Sequence, residues 1–171
     1  MMQINSNPIL AFLVTLIFIS IPLSALAAKH NNATEKLSLN QDDIHGLWIE
    51  KRKKKLAVWI EDCGNALCGR IYWMKKPLDK KGQPKLDPHN PDTKLRNRPR
   101  CGMKILSGFV KNKENHWQEG KIYNPNNGST YSSKIELSKS GILKVRGFIG
   151  LSLFGKTLKW ERPEQKLQHC G

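Results

Sequence analysis

The residues with the most definite chemistry are the four cysteines, Cys63, Cys68, Cys101 and Cys170. Thiols either pair as disulfides or hold a metal such as zinc, and zinc sites typically show C-x-x-C or H-x-x-x-H spacings that this sequence lacks. Disulfides are therefore favoured, with three pairings conceivable. Cys63 and Cys68 flank a four-residue turn between apolar stretches, so a bridge there would pin a hairpin. That leaves Cys101 with Cys170, a bridge that would tie a long internal segment to the chain end.

Residues 150–157 match the spacing of a nucleotide-binding P-loop, G-x-x-x-x-G-K-T. A P-loop works because its backbone amides cradle phosphate at the start of a helix. Here Leu158, Trp160 and Arg162 instead alternate as in a strand, and Pro163 follows. The segment therefore predicts a glycine-bracketed hairpin turn and not a nucleotide site.

Other catalytic patterns are absent from the sequence. It contains no G-x-S-x-G nucleophile elbow, no H-E-x-x-H pair and no C-x-x-C redox motif. The five histidines stand singly in polar contexts, where a solvated imidazole is commoner than a ligand or a base. We therefore expect a non-catalytic protein without a cofactor, although folding can assemble acid–base pairs that no linear pattern shows.

A proline-rich stretch, residues 75–100, carries a concentration of polar side chains. Proline and the turns formed by Asp and Asn favour a long ordered loop, and Asp92 is placed to cap a helical turn through Leu95. The spacing of the oxygen ligands matches no EF-hand and the nearby charge is cationic, so no metal is expected. In an extended segment, the alternating arginines after Asp92 would share one face. That face would either contact an anion or be a solvated edge, and the solvated edge is favoured. The loop motif comprises Asp87, Asn90, Asp92, Arg96 and Arg98, with Arg100 next in the alternation.

Most of the remaining sequence alternates apolar and polar residues with period two, and turn residues recur every eight to twelve positions. This pattern predicts an all-β fold, an antiparallel meander of about eight strands. Residues 101–110 fit either an eighth strand or a short helix. The seven clear strands are predicted at 46–50, 56–63, 67–74, 116–123, 130–137, 142–149 and 156–161.

The N-terminal apolar run, residues 9–26, ends in small residues and predicts a signal peptide over residues 1–27. The run has no basic residue before it, which leaves an uncleaved anchor as the alternative. Residues 28–44 form a polar segment, and residues 45–171 are predicted to be a single domain. The protein is therefore expected in the bacterial periplasm or outside the cell, without a membrane span after cleavage.

The formal net charge of +15 lies entirely after the predicted signal peptide. Such a charge favours anionic partners, such as components of the bacterial envelope, although scattered lysines also serve solubility alone. Residues 51–55 are a basic run at a predicted hairpin turn. Because export removes the protein from nucleic acid, we do not interpret this run as a nucleic-acid site.

A tryptophan and an arginine stand at opposite ends of the domain. Trp48 follows Gly46 and Leu47 at the start of the first strand, and Arg162 follows the last strand. This pair resembles the lipocalin arrangement. In lipocalins, this arginine covers the tryptophan and closes the base of the barrel, an arrangement that a cation–π contact stabilises. The alternative is that Trp48 is an ordinary core residue.

A wider set of short motifs is spread over the domain. The motifs are C-x4-C-G at 63–69, N-P-D at 90–92, L-R-x-R-P-x-C-G at 95–102, G-x-I-Y-x-P at 120–125, G-x-T-Y at 128–131 and V-R-G at 145–147. Together they are similar to the bacterial family of unknown function numbered 2147. The resemblance spans residues 46–162 and implies an exported, lipocalin-like β-barrel, with no catalytic residue to transfer. This chain differs from the family pattern in its abundance of lysine and in its fourth cysteine, Cys170.

Two functions follow from these expectations. The first is the binding of a small hydrophobic or lipid-like ligand inside the barrel, since eight strands leave room for packed side chains or one ligand. The second is a basic module that binds an anionic envelope surface or a protein partner. The five tryptophans could either line or fill the interior. The candidate ligand contacts are Trp59, Trp73, Tyr123 and Tyr131.

Overall fold

The computed structural model describes residues 43–171. Eight strands account for most of its regular structure, together with short 3-10 helices at Thr93–Leu95 and Ser152–Phe154. The strands are β1 (Gly46–Glu50), β2 (Leu56–Asp62), β3 (Leu67–Met74), β4 (Lys104–Lys113), β5 (His116–Asn124), β6 (Ser129–Leu137), β7 (Leu143–Phe148) and β8 (Lys156–Glu161). The predicted signal peptide and nearly all of the predicted polar segment lie outside the described residues.

The eight strands form a closed antiparallel barrel in which each strand pairs with its neighbours in sequence. β8 returns to β1 and closes the sheet through the pairs Ile49 with Glu161 and Glu50 with Trp160. The predicted all-β meander is therefore confirmed. The ambiguous residues 101–110 contain most of β4, because their apolar side chains Ile105, Leu106 and Phe109 are buried in the barrel core.

The barrel interior is filled towards one end, which we call the closed end. Trp48, Ile60, Leu67, Phe109 and Leu143 belong to one buried core cluster. The turns β2–β3, β4–β5 and β6–β7 lie at this end because consecutive strands alternate in direction. The turns β1–β2, β5–β6 and β7–β8 and the long β3–β4 loop therefore lie together at the opposite, open end.

Both expected disulfides are present and confirmed. Cys63 pairs with Cys68 across the β2–β3 turn, and Cys101 pairs with Cys170 over a sequence separation of 69 residues. The second bridge holds the C-terminal segment against β3, where the Cys170 amide donates to the Tyr72 carbonyl at 3.0 Å. All four thiols are thus used, and the zinc alternative has no thiolate left.

Residues 150–157 run from the β7–β8 connection into β8. The 3-10 helix within the connection has only three residues and is followed directly by a strand. This arrangement is a hairpin connection, in agreement with the sequence prediction. In the part of the chain from residue 43 onwards, no helix is long and apolar enough to cross a membrane.

Candidate functional site

A cavity of about 930 Å³ opens at the open end of the barrel. Its volume lies within the range of about 300–1,000 Å³ that is usual for small-molecule sites. The walls are formed by inward-facing apolar residues of strands β2 to β8, which alternate with outward-facing residues along each strand. These wall residues include Leu56, Ile71, Met74, Ile105, Ile122, Leu158 and Trp160.

The mouth of the cavity is cationic. Among the described residues that line the cavity, none is an aspartate or a glutamate. The five lysines of this set form no ion pair with any residue in 43–171, so their charge is not neutralised locally. The mouth cations are Lys55, Lys75, Lys76, Lys85, Arg100 and Lys156.

The long β3–β4 loop is held over one side of the mouth by Arg100. The Arg100 guanidinium donates to the Leu86 carbonyl at 2.7 Å, to the Asn126 side-chain oxygen at 2.7 Å and to the Pro125 carbonyl at 2.9 Å. The loop also approaches the β5–β6 turn so closely at Gly128 that a Cβ atom there would collide with the His89 carbonyl oxygen. Arg100 thus joins the long loop to the β5–β6 turn at the mouth.

Asp87 is the buried centre of the loop motif. Its side chain is 0% exposed, and it accepts hydrogen bonds from Tyr123 Oη at 2.7 Å, Asn90 Nδ2 at 2.7 Å and Arg98 Nη2 at 3.1 Å. Burial by itself would raise the pKa of the Asp87 carboxyl, but the hydrogen bonds and the Arg98 charge outweigh it and lower the pKa. Burial and the hydrogen bond to Asp87 raise the pKa of the Tyr123 phenol. The carboxylate therefore stays ionised and the phenol protonated, which locks the loop to β5.

The interpretation of the alternating arginines as one exposed face is wrong. Residues 93–98 form a 3-10 helix and turns, so the arginines do not alternate as they would in a strand. Arg96 donates to the Asn90 carbonyl at 2.9 Å, and Arg98 pairs with Asp87. The predicted helical turn is present, since the Asp92 side chain accepts from the Lys94 amide at 2.9 Å and caps Thr93–Leu95. The loop motif is thus internally bonded and organises the loop.

The structure divides the four candidate ligand contacts into two pairs. Tyr123 and Tyr131 line the cavity. Trp59 does not line it: its side chain is 42% exposed on the outer face of β2, where it lies 5.8 Å from the Tyr72 ring. Trp73 pairs with Ala57 of β2. The two neighbours of Ala57 face the interior, since Leu56 lines the cavity and Val58 belongs to the core. Trp73 therefore also lies outside the cavity. A β-bulge beside Val58 sets this register, and no local sequence pattern reveals it.

Sequence reasoning did not single out the cationic mouth or the aliphatic walls. Two sequence features together could have revealed them. The alternation within each strand shows which side chains face inward, and the up-and-down strand order places lysines at the strand ends on the same rim. The other three tryptophans all belong to the buried core cluster, and Trp160 also lines the cavity. One grouping with metal-binding residue types, Glu61 with Cys63 and Cys68, contains the β2–β3 disulfide and so offers no thiolate.

An eight-stranded up-and-down barrel with one filled end and one open cavity defines a lipocalin-like β-barrel. A solved structure described as "Protein HP1028 from the human pathogen Helicobacter pylori belongs to the lipocalin family" is similar to it, with 26% sequence identity and a TM-score of 0.60. The match covers 71% of this chain and 84% of that chain.

The chain belongs to the bacterial family described as "Uncharacterized protein conserved in bacteria (DUF2147)", whose model matches residues 46–162. The family predicted from the sequence motifs is therefore confirmed. No curated protein gives a significant match.

Proposed function

We propose that this chain is an exported, non-catalytic binding protein whose barrel holds one small amphipathic molecule. The apolar part of the ligand lies in the cavity, and an anionic group lies at the mouth. The observation that carries the proposal is the combination of an apolar cavity of about 930 Å³ with a mouth that has six cations and no acidic lining residue among those described. Export is supported by the two disulfides, which persist in oxidising compartments, and by the apolar run at residues 9–26.

The cavity chemistry favours a hydrocarbon chain over a polar ligand. Ile71, Ile105, Ile122 and Leu158 offer no hydrogen-bonding side chain, and burying a polar group against them would cost free energy without compensation. Each buried methylene of a ligand gains about 0.8 kcal/mol. Burying a chain of ten or more carbons therefore gives a large favourable free energy of binding. The charge at the mouth then selects the head group of the ligand.

The test is isothermal titration of protein purified after expression of the full chain, with three probes that share a twelve-carbon tail. Dodecanoate is expected to bind one molecule per barrel. Dodecanol should bind about tenfold more weakly, equivalent to about 1.4 kcal/mol, because it lacks the charge. Dodecylammonium should bind more weakly still, because the mouth repels it.

Gly147→Leu provides the variant that fills the cavity. A Cβ at Gly147 would lie 3.1 Å from Ile122 Cγ2 and 3.8 Å from Tyr131 Cβ, so a leucine side chain would enter the cavity wall. Gly147 is not among the glycines with positive φ, so the backbone accepts the substitution. The variant should lose binding of all three probes, whereas the outer-face control Trp59→Ala should bind as the wild type does. Failure of every probe to bind the wild type would overturn the proposal. Equal binding of dodecanoate and dodecanol would overturn only the part that assigns an anionic head group to the ligand.

A further inference from the structure

The β7–β8 connection exposes a group of large apolar side chains at the open end. Four of its residues are more than two-thirds exposed: Ile149 at 76%, Leu151 at 71%, Leu153 at 77% and Phe154 at 79%. We call residues 149–154 the apolar tip. Single exposed apolar residues are common on protein surfaces, but four large ones within six residues mark an interaction site.

The apolar tip is held in place by Arg146 of β7. The Arg146 guanidinium donates to the Ser152 carbonyl at 2.7 Å, the Leu153 carbonyl at 2.9 Å and Thr157 Oγ1 at 2.9 Å. The bonds to Ser152 and Leu153 satisfy backbone carbonyls of the 3-10 helix, which has no buried residue. The exposure is therefore a feature of an ordered, braced loop.

Cations lie next to the apolar tip. Lys134 Nζ lies 3.4 Å from Ser152 Oγ, and Lys156 follows the tip at the start of β8. Ile149 and Phe154 also line the cavity mouth, together with its lysines. The open end thus presents an apolar projection with cationic residues beside it.

We propose that the apolar tip docks the open end of the barrel onto an anionic lipid bilayer. Leu151 and Leu153 enter the boundary between head groups and acyl chains, and the surrounding lysines contact lipid phosphates. An apolar projection with basic neighbours matches that boundary. A protein partner fits less well, since lysine is depleted in protein interfaces. The proposal goes beyond ligand binding and does not depend on it, because the two side chains that enter the bilayer, Leu151 and Leu153, do not line the cavity.

The experiment is flotation with vesicles of phosphatidylcholine alone or mixed with phosphatidylglycerol, using protein purified after expression of the full chain. Wild-type protein is expected to float with the anionic vesicles and much less with the neutral ones. Leu151→Ser with Leu153→Ser should reduce the partition coefficient at least tenfold. The urea-unfolding midpoint is the check that the double variant is folded, and because both leucines are exposed it should stay close to that of the wild type. Each sample carries the same N-terminus, so any contribution from it is common to all variants.

Leu78→Ser with Leu95→Ser is the matched control, since it replaces two other exposed leucines, both in the long loop. This control should change the partition coefficient less than twofold. Unchanged flotation of the Leu151 and Leu153 variant would overturn the proposal by showing that charge alone binds the vesicles. Self-association of the wild type that the same variant abolishes would also overturn it, because a second copy would then be the occupant of the tip.

Discussion

The Arg162 guanidinium lies over the Trp48 ring, 3.9 Å from its centroid, and closes the barrel between its last and first strands. Arg162 also donates to the Leu47 carbonyl at 3.2 Å and to the Asp43 carbonyl. The Trp48 indole N–H donates to the Ile44 carbonyl at 2.7 Å. Burial lowers the pKa of Arg162, and the Asp43 charge partly offsets that effect. The pair therefore fastens the segment before β1 to the end of β8.

Removing this arginine should destabilise the barrel. Arg162→Ala is expected to lower the free energy of unfolding by about 2–4 kcal/mol, since it removes a cation–π contact and charge-assisted hydrogen bonds to carbonyls. Arg162→Lys keeps the charge but loses the planar fork, so an intermediate loss is expected. Urea denaturation measures both. Arg52→Ala, in the exposed β1–β2 turn, is the control and should stay within about 0.5 kcal/mol of the wild type. Equal stabilities of the two alanine variants would show that Arg162 has no closing role.

The two disulfides should contribute unequally to stability. The Cys101–Cys170 bridge spans 69 residues and the Cys63–Cys68 bridge spans five. In the chain-entropy model, the long loop is worth about 4 kcal/mol and the short one about 2 kcal/mol. Chemical denaturation of the Cys101→Ser/Cys170→Ser and Cys63→Ser/Cys68→Ser variants should therefore show the larger loss for the first. The opposite order would mean that the C-terminal segment is not a constraint on the unfolded chain.

The loop motif should make stability depend on pH below about 4. The pKa of Asp87 is lowered in the folded state, so its contribution is complete above the unfolded pKa of about 3.9 and is lost as the pH falls through the folded pKa. Asp87→Asn removes the charge paired with Arg98 and should cost about 2–4 kcal/mol at pH 7. The difference between wild type and variant should shrink as the pH falls. Urea denaturation between pH 2.5 and 7 measures it.

Asp79→Asn is the matched control for that experiment. Asp79 lies in the same loop but is exposed, and its side chain accepts from the Lys81 and Gln83 amides, which an asparagine oxygen also serves. Its stability profile should follow that of the wild type. A difference between Asp87→Asn and wild type that stays constant down to the lowest pH would contradict the assignment of the ionised form to Asp87.

The features that the sequence predicted depend on short-range patterns. Strand alternation gave the meander, and the turn between Cys63 and Cys68 indicated their bridge. The features that it missed depend on contacts between distant segments. Arg98 was expected on an exposed face, but it turns towards Asp87 because Tyr123 of β5 and Asn90 gather around that carboxylate. The cationic mouth likewise combines lysines from the β1–β2 turn, the β3–β4 loop and the start of β8, and only the closed barrel brings them together.

Reversing the charge at the mouth should separate the head-group contribution from that of the hydrocarbon tail. Lys75→Glu with Lys76→Glu replaces two adjacent mouth lysines just after β3. Each exposed ion pair is worth about 0.2–1 kcal/mol, and reversal adds repulsion to the loss, so dodecanoate should bind about tenfold or more weakly. Dodecanol binding should change less than twofold because its tail meets the same walls. Titration of both probes measures the two effects.

The same chain offers a close control for this variant in Lys80→Glu with Lys81→Glu. These lysines are also adjacent and exposed, and they lie in the same long loop, but they do not line the cavity. The change in net charge is identical, so a loss of dodecanoate binding common to both variants would reflect the overall field. A loss confined to the Lys75 and Lys76 variant is expected, and it should weaken as salt is added, since screening reduces the attraction between the mouth and the carboxylate.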